Sequence, residues 1–306
     1  MVSRRAFLGG VVAAGATGHW SALPGNASPA PLLRSIPGSA ELLPAIGLGS
    51  WITFDVLDVG GRRAVCREVM RAFFERGGRV IDSSPMYGSA QEVIGESLAS
   101  LDNDEALFSA SKVWIPGATT GRFQTGNSLD AWGLERFDLL QVHNMVDWQV
   151  HLPWMREWQA DGRLRHTGIT TSHGRRHTDM ETVIRTQPCD FVQFTYNIAD
   201  REAERRLLPM AADHGKAVVI NRPLQGGALF ERVRGQALPP FAAEIGCANW
   251  AQFFLKFIVS HPAVSCAIPA TSQVAHLHEN MGALALPMPD AAQRQEMVRY
   301  FERVSG

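Results

Sequence analysis

Three side chains able to hold or move a proton recur in this 306-residue chain at nearly equal intervals. Asp82, Lys112 and His143 are 30 and 31 residues apart, and Tyr87 follows Asp82 by five residues, just before the helix-like run GSAQEVIG. A carboxylate, a phenol, an ammonium and an imidazole are groups of general acid–base chemistry. Each also has an ordinary use: Asp favours caps and turns, an exposed loop Tyr is common, and a Lys or His ending an apolar run is usually just leaving the core. Spacing decides between these uses. Each separation is about one strand–helix repeat, so three neighbouring strands would deliver acid, amine and imidazole to one rim with the phenol above them. Burying four such groups unpartnered would cost several kcal/mol, so their convergence implies a shared role.

The elements that must position them are eight short apolar runs: AIGLGSW from Ala45, RVIDSS from Arg79, ALFSASK from Ala106, FDLLQVH from Phe137, HTGITT from His166, FVQFTYN from Phe191, AVVINRP from Ala217 and AVSCAIP from Ala263. Runs apolar on both faces suit strands covered on both sides, and stretches such as CREVMRAFFERGG and REAERRLLPMAADHG between them have helical periodicity and end in glycine. Eight strand–helix repeats in about 270 residues is the arithmetic of a (β/α)8 TIM barrel, whose chemistry sits at the carboxyl ends of the strands. A doubly wound sheet would more often carry fewer strands and a G-x-G-x-x-G turn, which follows none of these runs. LLRSIPGSAELLP, before the first barrel strand, is expected to form a hairpin turning at Gly38-Ser39 and closing the barrel bottom. The segment from Gly117 to Trp132 has Gly121, Gly126 and Asn127 inside it and is the weakest helix of the set.

With 45% apolar and 19% charged residues and a net charge of −1, the composition supports a large core and gives no basis for a nucleic-acid partner. Cys66, Cys189, Cys247 and Cys266 are far apart and form no CxxC pair, which points to buried thiols, and no metal site is expected. His173 and His177, at i, i+4 spacing, are expected on a solvated surface. Residues 1–31 form a separate unit: Arg4 and Arg5 precede a Gly- and Ala-rich apolar run with no charge before Arg34. SRRAFL resembles a twin-arginine export signal, which implies the twin-arginine machinery as a partner, a periplasmic or other extracytoplasmic location, and a mature protein without stable membrane insertion. The alternative is an uncleaved anchor, since the run is near the minimum length that can span a bilayer, though its glycines weaken it as a spanning helix. Residues 32–306 form the barrel.

From about Leu33 to the C-terminal helix the chain resembles the aldo-keto reductases, through GLGSW, the run from Asp82 to Leu98 that ends in MYGSAQEVIGESL, SKVW, QVHN, FVQFTYN, RPLQGGAL and IPATSQVAHLHEN. The family's catalytic tetrad falls on Asp82, Tyr87, Lys112 and His143. The resemblance implies reduction of a carbonyl compound by a nicotinamide cofactor lying across the barrel mouth. Tyr87 would protonate the developing alkoxide. Lys112 would lower its pKa from the ordinary value of about 10, Asp82 would compensate the buried ammonium, and neutral His143 would orient the carbonyl oxygen. Cofactor contacts carry over to Gly49 and Ser50, to Thr170 and Thr171 where the family commonly has Ser-Asn, to Gln193, to Leu224, Gly226 and Gly227 around the pyrophosphate, and to Ser272, His276, Glu279 and Asn280 around the adenosine.

Two departures stand out. Asn221 occupies the place of an aromatic ring that usually stacks on the nicotinamide, and Arg222 that of a small residue; Arg222 would either pair with cofactor phosphate or fill space. His276 falls where an Arg often grips the 2′-phosphate, so NADP(H) is favoured over NAD(H) only by family habit. Trp51, Phe54, Trp114, Ile115, Met145 and Trp148 would line an aromatic substrate pocket suited to hydrophobic carbonyl compounds, or would only shield the rim. Two other functions compete with the reductase. One is a nucleotide-holding barrel that docks to a partner without turnover. The other is a metal-dependent hydrolase, against which Lys112 stands where a ligand would be expected.

Overall fold

The computed structural model describes residues 31–101 and 107–306. The expected leader, apart from Pro31, lies outside the described residues, as does Ala106 at the start of the third apolar run. An antiparallel hairpin, β1 (Leu33–Ser35) and β2 (Leu42–Pro44), precedes eight parallel strands: β3 (Leu48–Gly49), β4 (Val80–Asp82), β5 (Phe108–Val113), β6 (Phe137–Val142), β7 (Leu164–Thr170), β8 (Phe191–Thr195), β9 (Ala217–Asn221) and β10 (Cys266–Ala267). Each barrel strand pairs with the next in sequence. Bridges Ile46–Ala267 and Gly49–Ala270 close the ring, with the Gly47 amide donating to Ala267 O at 2.8 Å and the Gly49 amide to Pro269 O at 3.0 Å. All eight apolar runs become barrel strands.

Side-chain alternation along these strands divides the interior into two levels. Val80, Phe108, Ala110, Leu139, Phe191, Ala217 and Val219 pack together inside the barrel, with Ile36 and Leu43 of the hairpin region in the same buried cluster. Two residues further along the same strands come Asp82, Lys112, Gln141, Gln193 and Asn221. The lower interior is therefore an apolar plug and the upper interior a polar layer resting on it. The hairpin turns at Gly38 and Ser39 as expected. It is also fastened by charge: Glu41 pairs with Arg79 at 3.3 Å and with Arg165, which reaches Asp138 at 2.6 Å.

Outside the sheet run α1 (Arg62–Glu75), α2 (Ala90–Leu98), α3 (Ala118–Trp132), α4 (Trp148–Ala160), α5 (His177–Thr186), α6 (Leu207–Asp213), a short α7 (Ala228–Arg232), α8 (Trp250–Val259), α9 (Val274–Gly282) and α10 (Ala291–Val304). Helix α1 buries Cys66, Val69, Met70, Phe73 and Phe74, an i, i+3, i+4, i+7 stripe. Helix α10 begins with a capping box: Asp290 Oδ1 accepts from the Gln293 amide at 2.8 Å, and Gln293 Oε1 accepts from the Asp290 amide at 3.0 Å. All four cysteines are buried thiols. Among the described residues no helix is long and apolar enough to cross a membrane.

The stretch with the poorest helical sequence forms the longest helix among the described residues. Packing overrides propensity in α3, because Gly121 lies against the ring of His151, itself fully buried between Ile115 O and Trp154 Nε1 at 2.7 and 3.1 Å. A Cβ on Gly121 would come within 2.5 Å of that ring, whereas one on Gly126 would meet nothing within 4 Å. Gly121→Ala is therefore expected to destabilise the protein by about 1–3 kcal/mol through overpacking. Gly126→Ala should stabilise it by roughly 0.5–1 kcal/mol through helix propensity. Denaturant unfolding of the two variants measures both, and equal shifts would refute the account.

Candidate active site

The polar layer is organised around one buried ion pair. Lys112, with no exposed surface, donates from Nζ to Asp82 Oδ1 and to Ser83 O, the latter at 2.8 Å. The other carboxylate oxygen, Oδ2, accepts from Gln141 Nε2 at 3.1 Å and from Gln193 Nε2 at 3.0 Å. Gln193 Nε2 also reaches Gln141 Oε1 at 3.2 Å, and Gln193 Oε1 accepts from Asn221 Nδ2 at 3.3 Å. Asn221 Nδ2 donates further to Thr171 O at 2.8 Å, and its Oδ1 accepts from Thr195 Oγ1 at 2.7 Å. Strands β4, β5, β6, β8 and β9 are thus joined by a hydrogen-bonded chain that leaves no end of the pair unpartnered, the condition under which a buried charge pair is tolerated.

Tyr87 and His143 sit on this base. Lys112 Nζ lies 5.2 Å from the centroid of the Tyr87 ring, and the Tyr87 and His143 rings meet edge to face at 5.7 Å. Burial raises the Tyr87 pKa, and the opposing pull of the Lys112 charge does not cancel it, so the phenol keeps its proton at neutral pH. This reverses the direction expected from the sequence, in which the lysine wins. Burial also works against the Lys112 ammonium, but the Asp82 carboxylate, by its charge and its hydrogen bond, leads the opposing influences, and the Lys112 pKa is raised. His143 is pushed down to about 2, first by burial and then by the Lys112 charge, and is neutral.

His143 is anchored by Ser84, a residue that its type and place in the sequence do not single out. Ser84 Oγ lies 2.8 Å from His143 Nδ1 and accepts from the Met86 amide at 3.4 Å. The hydroxyl oxygen keeps a second lone pair beside that amide, so it can meet Nδ1 as donor or as acceptor; as donor it would leave the ring's own proton on Nε2. Gln141 is a second functional residue absent from the sequence expectation, although it lies two residues before His143 on the same strand and period-2 alternation alone sends it inward.

Beside the four groups opens a cavity of about 790 Å³. Gly49, Ser50, Asp82, Tyr87, His143, Thr170, Gln193 and Asn221 line it, followed by Arg222, Leu224, Gly226 and Gly227, and by Ser272, His276, Glu279 and Asn280 from α9 and the turn before it. Thr171 is the one expected cofactor residue that does not line it: its hydroxyl turns away and donates to Arg175 O at 2.6 Å. Asn221 is no stacking platform but a polar clasp in the network above. Among the expected substrate residues, Trp51 lines the cavity, and exposed Trp114 lies 6.4 Å from His143 between ring centroids. Trp114, Phe54, Met145, Ile115 and Trp148 do not line it. Phe54 folds back into the core as its amide donates to Ser50 O, Met145 is buried beneath the turn after β6, and Ile115 and Trp148 pack on the core. Ile52, Met86 and Asn144 take part instead. His173 is exposed, as expected, and also lines the mouth of the cavity together with Ser172 and Arg175; nothing in the sequence beyond their place after a strand end marks them.

The donor set suits a long ligand with an anionic middle. Gly226 and Gly227 have φ of 66° and 98°, and their Cα atoms face open space, so their backbone is accessible. Such open glycine backbone lets N–H groups approach phosphate oxygens. Helix α9, which contributes His276, Glu279 and Asn280, begins without an acidic residue in its first turn. A nicotinamide dinucleotide fits these residues.

Comparison with known proteins agrees with this geometry. The family model of the aldo/keto reductases matches residues 45–297. Pyridoxine 4-dehydrogenase of Escherichia coli is 26% identical over 248 residues, covering 74% of this chain and 84% of that protein. Aldo-keto reductase YhdN of Bacillus subtilis is 26% identical over 199 residues, 60% of this chain and 59% of that one, so that match spans less than two thirds of the relative. The crystal structure of an aldo-keto reductase from Klebsiella pneumoniae in complex with NADPH is 25% identical with a TM-score of 0.73, covering 88% of this chain and 95% of that one. The chain belongs to the aldo/keto reductase family, whose model matches most of its length.

Proposed function

We propose that this protein is an exported reductase that converts an aldehyde or ketone to the alcohol, with Tyr87 as general acid and NADP(H) as the preferred cofactor. The observation that carries the reading is the meeting of a protonated Tyr87 and a neutral His143 over the buried Lys112–Asp82 pair, on the wall of the cavity. The bound nicotinamide supplies a hydride to the carbonyl carbon. As charge develops on the carbonyl oxygen, the Nε2 proton of His143 orients it and Tyr87 gives up its phenolic proton to it. Lys112 stabilises the phenolate left behind, and Asp82 keeps the ammonium in place. Trp51, Ile52 and Met86, which line the cavity with sizeable exposed surface, favour apolar carbonyl compounds.

Support for NADP(H) comes from the Klebsiella pneumoniae structures, described in complex with NADP and with NADPH. Against a strict preference stand His276 in the place of an arginine and the NADH-specific methylglyoxal reductase of Escherichia coli, 23% identical over 252 residues. Export rests on Arg4, Arg5 and the apolar run after them. A twin-arginine route carries folded proteins, so the enzyme would cross with cofactor bound and regenerate it on site by coupling a reduction to an oxidation. Replacing Arg4 and Arg5 by Lys is expected to hold the protein in the cytoplasm, as fractionation would record; unchanged export, or exported wild-type protein free of nucleotide, would refute this route.

Tyr87→Phe should lower kcat/KM by roughly a thousandfold while leaving the dissociation constant of NADP(H) within about twofold, measured at the nicotinamide absorbance and by fluorescence titration. A wild-type protein silent on a broad aldehyde and ketone panel would favour the partner-docking barrel. The pH dependence has a definite sign. A His143 pKa near 2 leaves the ring neutral above about pH 3, and a raised Tyr87 pKa keeps the phenol protonated beyond its ordinary value of about 10. Reduction is therefore expected to be flat from about pH 5 to 9, while alcohol oxidation, which uses the phenolate, rises with pH. Ser84→Ala should lower kcat roughly tenfold with little change in KM, as the Nε2 tautomer loses its anchor. An inflection of the reduction rate near pH 6–7 in the wild type would contradict the assigned state of His143.

A further inference from the structure

One positive charge on the cavity wall has no counterpart. Arg222 is half-buried, and its guanidinium makes no ion pair or hydrogen bond among the described residues. Near it are His173 and Arg175, which enter the same cavity from the loop after β7. Arg175 donates from Nη2 to His173 Nδ1 at 3.2 Å and from Nε to Ser172 O at 3.3 Å, both neutral acceptors. Burial first, and then the charges of Arg222 and Arg175, disfavour a charged His173 against the opposing pull of Asp200. The cavity's carboxylates lie elsewhere: Asp82 is committed to Lys112, and Glu279 is on α9. Two fixed cations and an imidazole meet here at the cavity, and the one carboxylate whose charge bears on the imidazole, Asp200, is not part of the cavity lining, an arrangement that favours an anionic ligand.

The backbone holds this arrangement in advance. His173 and Arg222 have φ of 61° and 50°, the left-handed region that side chains disfavour. Each is held there from a neighbouring element: the His173 amide donates to Thr195 Oγ1 at 3.0 Å, and Arg222 O accepts from Asn197 Nδ2 at 3.1 Å. Outliers at a ligand wall, fixed by their surroundings, mark pre-organised function. Two guanidinium groups from two different loops suit an anion with oxygens on more than one centre, and the accessible backbone of Gly226 and Gly227 follows Arg222 by only four and five residues.

We propose that Arg175 and Arg222, with His173 between them, form a cationic clasp for the diphosphate of a dinucleotide, gripping it from the β7 loop as well as from the glycine loop after β9. The proposal rests on the reading of this cavity as a nicotinamide dinucleotide site.

The test is titration of NADP+ and of NAD+ by quenching of tryptophan fluorescence, at low and at high salt, for the wild type, Arg175→Ala, Arg222→Gly and the double variant. Glycine suits the φ of residue 222, so that variant removes the charge without straining the fold, and thermal melting verifies this. Each single variant is expected to weaken both nucleotides by roughly tenfold to a hundredfold, the double variant more, with a shallower salt dependence than the wild type. Equal loss for NAD+ and NADP+ is required, because the diphosphate is common to both. Loss confined to NADP+ would move the clasp to the 2′-phosphate and overturn the proposal. Unchanged nucleotide binding with a raised KM for carboxylate-bearing aldehydes, but not for neutral ones, would assign the clasp to substrate and overturn it as well. Unchanged binding and KM in the variants would overturn the clasp and leave the dinucleotide site standing, whereas a wild type that binds neither nucleotide would remove both.

Discussion

The ammonium of Lys112 sits inside the barrel with no contact to solvent, and most of the polar chemistry around it is a consequence. A lone charge there would be strongly disfavoured, so Asp82 must be beside it. A carboxylate has two oxygens, and the second must also be satisfied, which places Gln141 and Gln193. An amide oriented to donate presents its carbonyl on the other side, which Asn221 meets, and Asn221 in turn is held by Thr195 and Thr171 O. The series of obligations runs across most of the barrel mouth before it ends. Asn221 thus has a structural reason for standing where the family usually places a ring: it terminates the chain of donors that begins at Asp82.

The same charge sets the protonation of the layer above. Lys112 and Asp82 cancel, so the layer is neutral as a unit, and burial together with the nearby ammonium keeps His143 uncharged. Burial keeps Tyr87 protonated against the pull of the lysine. For the proposed reduction this gives a phenol with a proton to transfer, an uncharged imidazole, and a cation beneath them that would stabilise the negative charge left by proton transfer. Ser84 holds the imidazole in place through Nδ1.

How much of this is legible in the sequence depends on whether a feature is periodic. The eight strands are visible as apolar runs, the three polar strand ends as a near-constant interval, and the hairpin as a turn signal between short apolar stretches. These are repeats of local physics. Helix α3 is poorly visible because its stability comes from the fit of Gly121 against the buried His151 ring, which no local propensity records. Phe54 and Met145 depart from expectation for a related reason: in the turns after β3 and β6, rotation about a few backbone bonds decides whether a side chain enters the cavity or the core. His173 and Arg175 escape a reading of the sequence because a loop has no period, and their convergence with Arg222 depends on two loops meeting in space. Burial likewise reverses the expected direction of the Tyr87 pKa, since a neighbouring cation can be read from residue types but the extent of its competition with desolvation cannot.

The backbone itself distinguishes the two ends of the barrel. Among the described residues, the non-glycine residues with positive φ are Ile52, Asn144, Met145, Asp147, His173, Arg176, Arg222 and Gln225, and every one follows a strand at the carboxyl end. At roughly 1 kcal/mol or more apiece, such conformations persist only where the surroundings enforce them. The enforcing contacts can be named. Arg176 Nη1 donates to Asn144 O and Met145 O at 3.3 and 3.1 Å, Thr170 Oγ1 accepts from the Asn144 amide at 3.0 Å, and Asp147 Oδ2 accepts from the Gly117 amide at 2.8 Å. These bonds fasten the turn that carries His143 to strand β7, to the loop after it and to the loop after β5. The opposite end carries no such outliers among the described residues and is secured instead by apolar packing and by the Glu41, Arg165 and Asp138 ion pairs. Stability is thus concentrated beneath the polar layer and strain above it. That arrangement lets the mouth hold side chains in the conformations its chemistry requires, because the plug below does not depend on them.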